Sequence, residues 1–101
     1  MHRVVGSSME PRLFDGDLVL TSPLSFQTIE IGDVVVAKRE NKNWIKRISS
    51  IGSGTVGLSS DNPFDSMDSR HVGSFTHDQL LGRAFAVFTG DGKLRSIPKN
   101  I

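Results

Sequence analysis

Cysteine is absent from this chain of 101 residues, which excludes disulfides, thiol nucleophiles and thiolate metal sites. Long apolar stretches are absent as well, because the longest run, residues 84–88, is far below the roughly 20 residues that cross a bilayer. The N-terminus lacks the pattern of a secretory signal peptide. We therefore expect a soluble, cytoplasmic protein that associates with a membrane only if an anchor has been removed.

An excess of charge of either sign is also missing, since 12 basic and 11 acidic residues leave a net charge of +1. This balance gives no electrostatic footprint for nucleic acid. The histidines, His2, His71 and His77, are scattered and do not have the spacing of a metal site. We expect neither a metal nor another cofactor, and the length fits one domain covering residues 1–101.

Amphipathic helical periodicity is scarce, and short β-branched runs separated by turn residues are frequent. These runs predict a mainly β fold with very little helix, arranged as a compact barrel or sandwich. The predicted strands cover residues 18–21, 34–38, 44–49, 55–58 and 83–88. Helix is expected only as single turns near residues 9–14 and 76–81, and the tail from Lys93 is either a closing edge strand or a frayed end.

One predicted hairpin joins residues 34–38 to residues 44–49 through the polar stretch 40–43. Side chains alternate along a strand, so Lys46 should share a face with Trp44 and Ile48. Apolar surroundings desolvate a lysine, disfavour its charged form and lower its pKa from about 10.4. Lys46 could thereby supply a neutral amine, whereas the neighbouring Arg47 stays protonated in proteins.

Four motifs follow one another in the chain. Residues 8–17 read Ser-Met-Glu-Pro-Arg-Leu-Phe-Asp-Gly-Asp, residues 32–36 read Gly-Asp-Val-Val-Val, and residues 44–48 read Trp-Ile-Lys-Arg-Ile. Residues 60–73 read Ser-Asp-Asn-Pro-Phe-Asp-Ser-Met-Asp-Ser-Arg-His-Val-Gly, and Leu-Gly-Arg-Ala follows at residues 81–84. Together these motifs resemble those of type I signal peptidases. The self-cleaving SOS-response repressors share the Ser-Met and Lys motifs without the Asp-Ser-Arg signature, so the signal peptidase branch is favoured.

The resemblance implies a serine endopeptidase with the β core shared by signal peptidases and SOS-repressor proteases. Ser8 would be the nucleophile, Lys46 its base, and Ser66 the residue that orients Lys46. Asp68 and Arg70 match a structural ion pair of the family. The Ser8 backbone N–H would bind the oxyanion, and because Gly6 stands where some members carry a second hydroxyl donor, Ser7 is a weaker substitute.

Each of these residues has a simpler explanation when taken alone: Ser8 as a turn hydroxyl, Lys46 as a solvated strand residue. The order of the four motifs favours the peptidase over these explanations. In size the chain resembles the short peptidases that remove the leader of nickel-type superoxide dismutase, whose precursor is the expected partner. The alternatives are the core of a membrane-anchored signal peptidase without its anchor, or a non-catalytic β interaction module. A self-cleaving repressor is disfavoured because little chain precedes Ser8.

Overall fold

The computed structural model of the chain describes residues 1–25, 27–64 and 71–97. Half of the residues lie in strands, which confirms the mainly β prediction. The strands are β1 (His2–Arg3), β2 (Leu18–Ser22), β3 (Val34–Arg39), β4 (Lys42–Ile51), β5 (Thr55–Ser59), β6 (His71–Thr76), β7 (Leu80–Phe88) and β8 (Leu94–Ser96). No helix in the described part of the chain is long and apolar enough to cross a membrane.

All five predicted strands are present, and β1, β6 and β8 were not predicted as strands or were left open. Helical structure is confined to one 3-10 turn, His77–Gln79, close to one predicted helical turn. The other predicted single turn, at residues 9–14, is present as hydrogen-bonded turns that do not continue into a helix. One of these is closed by the Leu13 N–H, which donates to the Met9 carbonyl at 2.9 Å.

The strands form one antiparallel sheet in the order β1-β2-β7-β3-β4-β5-β6, and β8 pairs with β7 beside β3. Strands β3 and β4 form a hairpin whose last pair is Arg39 with Lys42, so its turn has only two residues, Glu40 and Asn41. Both have positive φ, 55° and 63°, as the hairpin turn that matches strand twist requires. The connection is therefore shorter than the predicted stretch 40–43.

Both faces of β3 are buried, because its alternating side chains enter two different apolar clusters. Val34 and Val36 pack in the first cluster with Met9, Leu13 and Ile45. The second cluster, on the other face, contains Val35, Ala37, Ile48, Val56, Leu58 and Phe75, with Trp44 packed against it. The central hairpin is thus covered on both sides, and it carries Lys46 directly opposite Val35.

Candidate active site

Ser8 lies in a loop of residues 4–17, here called the Ser8 loop, which is closed at its ends and pinned in its middle. The Val4 N–H donates to the Asp17 carbonyl at 2.8 Å, and the Gly16 N–H donates to the Val4 carbonyl at 2.9 Å. Met9 and Leu13 are 1% and 0% exposed and anchor the loop in the first cluster. Ser8 precedes the first anchor and remains partly exposed.

Lys46 reaches Ser8 from β4. Its Nζ lies 2.7 Å from the Ser8 Oγ, although 38 positions separate the two residues in the chain. At this distance an ammonium donates to the hydroxyl, and a neutral amine accepts the hydroxyl proton. The sequence motifs predicted that Ser8 and Lys46 belong to one site, and in the fold the Ser8 Oγ and the Lys46 Nζ are in hydrogen-bond contact.

Burial distinguishes Lys46 from an ordinary strand lysine, because only 6% of it is exposed. Ile48 lies on the same side of β4, as the alternation predicts, and the Trp44 ring centroid is 5.8 Å from Nζ. Removal from water disfavours the ammonium form. The attraction of a cation to the Trp44 ring opposes this effect only weakly, since 5.8 Å is near the outer limit of about 6 Å for such contacts.

Ser60 is a site residue that the sequence did not predict. Lys46 Nζ donates to its Oγ at 2.9 Å, and Ser60 is itself buried at 6% exposure. A second hydroxyl on Nζ fixes the direction of the amine toward Ser8. The available signal was a departure from the signal peptidase motif, which has Gly where this chain has Ser60.

Residues 1–85 match the Peptidase S24-like family. The chain belongs to this family. The family and a peptidase relative in the mouse support the activity of a serine peptidase. This relative, the mitochondrial inner membrane protease subunit 1, is 31% identical in an alignment that covers 92% of this chain and 73% of the relative.

Behind the reactive pair, this S24-like peptidase carries a buried ion pair between Arg47 and Asp61. Two guanidinium nitrogens, Nε and Nη2, donate to the two carboxylate oxygens, both at 2.8 Å, and Nη1 donates to the Gly32 carbonyl at 2.7 Å. The side chains are 6% and 8% exposed. This bidentate contact ties the end of β5 to β4 and to the turn before β3. It is a different pair from the one the sequence indicated.

Asn62 joins the end of β5 to the Ser8 loop. Its backbone N–H donates to the Ser8 carbonyl at 2.9 Å, and its Nδ2 donates to the Ser7 carbonyl at 2.9 Å. Its Oδ1 accepts the Phe64 N–H at 2.9 Å. Neither Asn62 nor Ser60 was among the site residues that the sequence indicated.

Ser7 is exposed, and the contacts that the structure gives it are made by its carbonyl, which accepts from Asn62 and, at 3.2 Å, from the Glu10 N–H. Gly6, at φ 86°, adopts a left-handed conformation that glycine tolerates best. Three predicted residues, Ser66, Asp68 and Arg70, lie outside the described residues. Their roles remain predictions.

Proposed function

We propose that this protein is a serine endopeptidase in which Ser8 attacks the scissile carbonyl and the neutral amine of Lys46 is the general base. The observation that carries the proposal is the 2.7 Å contact between Ser8 Oγ and a Lys46 Nζ whose residue is buried. A serine hydroxyl is a weak nucleophile until a nearby base takes its proton. A buried lysine can be that base because desolvation favours its neutral form.

The reaction proceeds in two steps through an ester. As Ser8 Oγ bonds to the carbonyl carbon, its proton passes to Lys46 Nζ, and the oxygen of the tetrahedral intermediate accepts the Ser8 N–H. Lys46 then gives the proton to the departing amine as the C–N bond breaks. A water molecule, deprotonated by the same amine, attacks the ester, and the acid leaves as Ser8 recovers its proton.

The test compares serine and lysine substitutions with matched controls on the same protein. Ser8→Ala, Lys46→Ala and Lys46→Arg should each abolish cleavage and keep a cooperative thermal transition, because each removes half of a jointly acting pair. Ser49→Ala and Lys42→Ala alter exposed residues of the same strand, β4, and should leave the rate unchanged. Full activity in folded Lys46→Ala would reject Lys46 as the base.

For the biological reaction we propose removal of an N-terminal leader, with the precursor of a nickel-type superoxide dismutase as the substrate. The motif resemblance to signal peptidases supports leader removal, and the resemblance in size to the short dismutase-processing peptidases supports this substrate. Such dismutases bind nickel through a free N-terminal His and nearby Cys residues, and a leader blocks that amine. An extended, flexible leader suits recognition by strand addition.

The substrate is tested by incubating the purified chain with a dismutase precursor and following intact mass and the new N-terminus. Cleavage immediately before the His, absent with Ser8→Ala, is the expected result. Cutting of secretory leaders with an untouched precursor would instead identify the core of a signal peptidase, a reading that the similarity to the mouse inner membrane protease subunit favours. Inertness toward both would indicate a non-catalytic interaction module.

A further inference from the structure

The two peptide groups that flank the Ser8 Cα are both held by one residue, Asn62. The peptide before Ser8 is held through the Ser7 carbonyl by the Asn62 Nδ2, and the peptide after it is held through the Ser8 carbonyl by the Asn62 N–H. Both distances are 2.9 Å. The orientation of the nucleophile therefore depends on a residue 55 positions away from Ser7 in the chain.

A trans peptide is planar, so its C=O and N–H point in opposite directions. Holding the Ser7 carbonyl against Asn62 therefore fixes the direction of the Ser8 N–H, which points away from Asn62. Among the described residues no group accepts this N–H. It is thus available to a developing oxyanion next to the Ser8 Oγ.

The Asn62 amide is itself fixed, and its polarity is unambiguous. Its oxygen accepts a backbone N–H from Phe64 and its nitrogen donates to the Ser7 carbonyl, so a flipped amide would face a donor with a donor and an acceptor with an acceptor. Its neighbour Asp61 is clamped by the bidentate contact with Arg47. Asn62 therefore directly follows a residue that is held by two charge-assisted hydrogen bonds.

From this arrangement we infer that Asn62 is a positioning residue that preorganises the oxyanion hole by aiming the Ser8 N–H. The inference rests on the proposed peptidase function and assigns Asn62 a role that no motif gave it. It also explains how the oxyanion hole could work without a second hydroxyl donor, because this chain has Gly6 at the position where some family members carry that donor. A single donor must be aimed well to stabilise the charge.

The variants that test this inference are Asn62→Ala and Asn62→Asp. Alanine removes the donor to the Ser7 carbonyl. Aspartate retains an acceptor for the Phe64 N–H but sets a carboxylate oxygen against that carbonyl, so it should be the more harmful change. Asn43→Asp makes the same chemical change at an exposed position of β4 and is the matched control.

The probes are acetyl-Ala-Ala methyl ester and its thionoester, whose sulfur is a poorer hydrogen-bond acceptor than oxygen. We expect kcat on the oxygen ester to fall about 10- to 100-fold with KM nearly unchanged, because the misaimed N–H acts in the transition state. The ratio of oxygen-ester to thionoester rates should fall too, a change that a general loss of packing would not produce. Asn43→Asp should keep both values, and circular dichroism should show all variants folded.

Two results would count against the inference in different ways. If the unaltered protein hydrolyses the ester through Ser8 while folded Asn62 variants keep both kcat and the oxygen-to-sulfur ratio, Asn62 does not aim the oxyanion donor. If the unaltered protein shows no hydrolysis that Ser8→Ala removes, the peptidase proposal fails and the inference falls with it.

Discussion

Two neighbouring basic residues of β4, Lys46 and Arg47, are both buried but make different contacts. Lys46 meets hydroxyl groups and apolar surface, whereas Arg47 meets the Asp61 carboxylate in a bidentate pair. An arginine guanidinium keeps its charge in proteins, whereas a lysine amine can lose its proton when it is buried, and the proposed mechanism uses this difference.

The first prediction concerns the pH dependence of kcat/KM. In the proposed mechanism only the neutral amine of Lys46 accepts the Ser8 proton, so kcat/KM should increase as pH rises and Lys46 loses its proton, with an alkaline preference as the result. Initial rates on one peptide substrate between acid and alkaline pH measure the limb. Lys42→Ala, which removes an exposed lysine of the same strand, should leave the profile in place. A profile flat across that range would contradict an amine base.

A second prediction separates two serines that could orient Lys46. Ser60 Oγ accepts a hydrogen bond from Lys46 Nζ at 2.9 Å, so Ser60→Ala should lower kcat roughly 10-fold without changing the free energy of unfolding by more than about 1 to 2 kcal/mol. Ser66→Ala should also lower turnover without eliminating it, as the motif resemblance implies. Single and double variants are compared by kcat and by urea unfolding. Equal rates for Ser60→Ala and the unaltered protein would show that Ser60 only fills space.

At the scale of elements, the sequence predicted strands where apolar alternation and turn residues agreed. The β3–β4 hairpin satisfied both conditions, and so the placement of Lys46 beside Trp44 and Ile48 could be derived in advance. Strand β6 escaped prediction because it contains polar residues and Gly73 at φ 111°, and its strand state depends on pairing with β5. Strands β1 and β8 have only 2 and 3 residues, too few for a periodic pattern.

The candidate site also combines residues that local sequence patterns predict with residues that only strand pairing brings into place. Ser8 and Lys46 stand in local motifs and could be named from sequence, but Ser60 and Asn62 owe their positions to the pairing of β4 with β5, for example Arg47 with Ser59. A motif fixes residue type and spacing without fixing which side chain of a later segment reaches the amine. The ion pair between Arg47 and Asp61 was not predicted for the same reason.

An element-scale prediction concerns Gly82, where β7 crosses close to β2. A Cβ at this position would lie 3.0 Å from the Ser22 carbonyl oxygen and 3.1 Å from the Thr21 Cβ, so these neighbours would have to give way by a few tenths of an ångström. Gly82→Ala should destabilise the fold by about 1 to 3 kcal/mol, as overpacking does. Gly90→Ala, where no heavy atom lies within 4 Å, should be neutral or slightly stabilising. Urea unfolding of both variants decides, and equal midpoints would refute the crowding argument.

At the scale of the whole molecule, the site is assembled from segments far apart in the chain. Lys46 is 38 positions from Ser8 and 14 from Ser60, so the constellation exists only while the loop and two strands are held together. The two apolar clusters provide that support, and the Ser8 loop is part of the first through Met9 and Leu13. Loss of the sheet should therefore mean loss of the site.

Because the site depends on the folded sheet, activity and folding should be lost together, and the fluorescence of one tryptophan can follow the unfolding. Trp44 is the sole tryptophan of the chain and packs against the second cluster near Lys46. Fluorescence of Trp44 and peptidase activity should be lost together in a urea titration, as expected of a cooperative small fold. Activity that disappears at clearly lower urea than the fluorescence change would show that the Ser8 loop opens separately from the sheet.

The two-residue turn of the β3–β4 hairpin has a consequence for fidelity. A slip of β4 by one residue against β3, in the direction that sets Arg47 opposite Val35, would exchange the faces of the strand and present a guanidinium to Ser8 where an amine now stands. A molecule with that error would hold a positive charge beside its serine and would have no proton acceptor. The left-handed pair Glu40 and Asn41 sets the count of residues in the turn. Only molecules whose β3–β4 hairpin has closed in the correct register therefore present the Lys46 amine to Ser8.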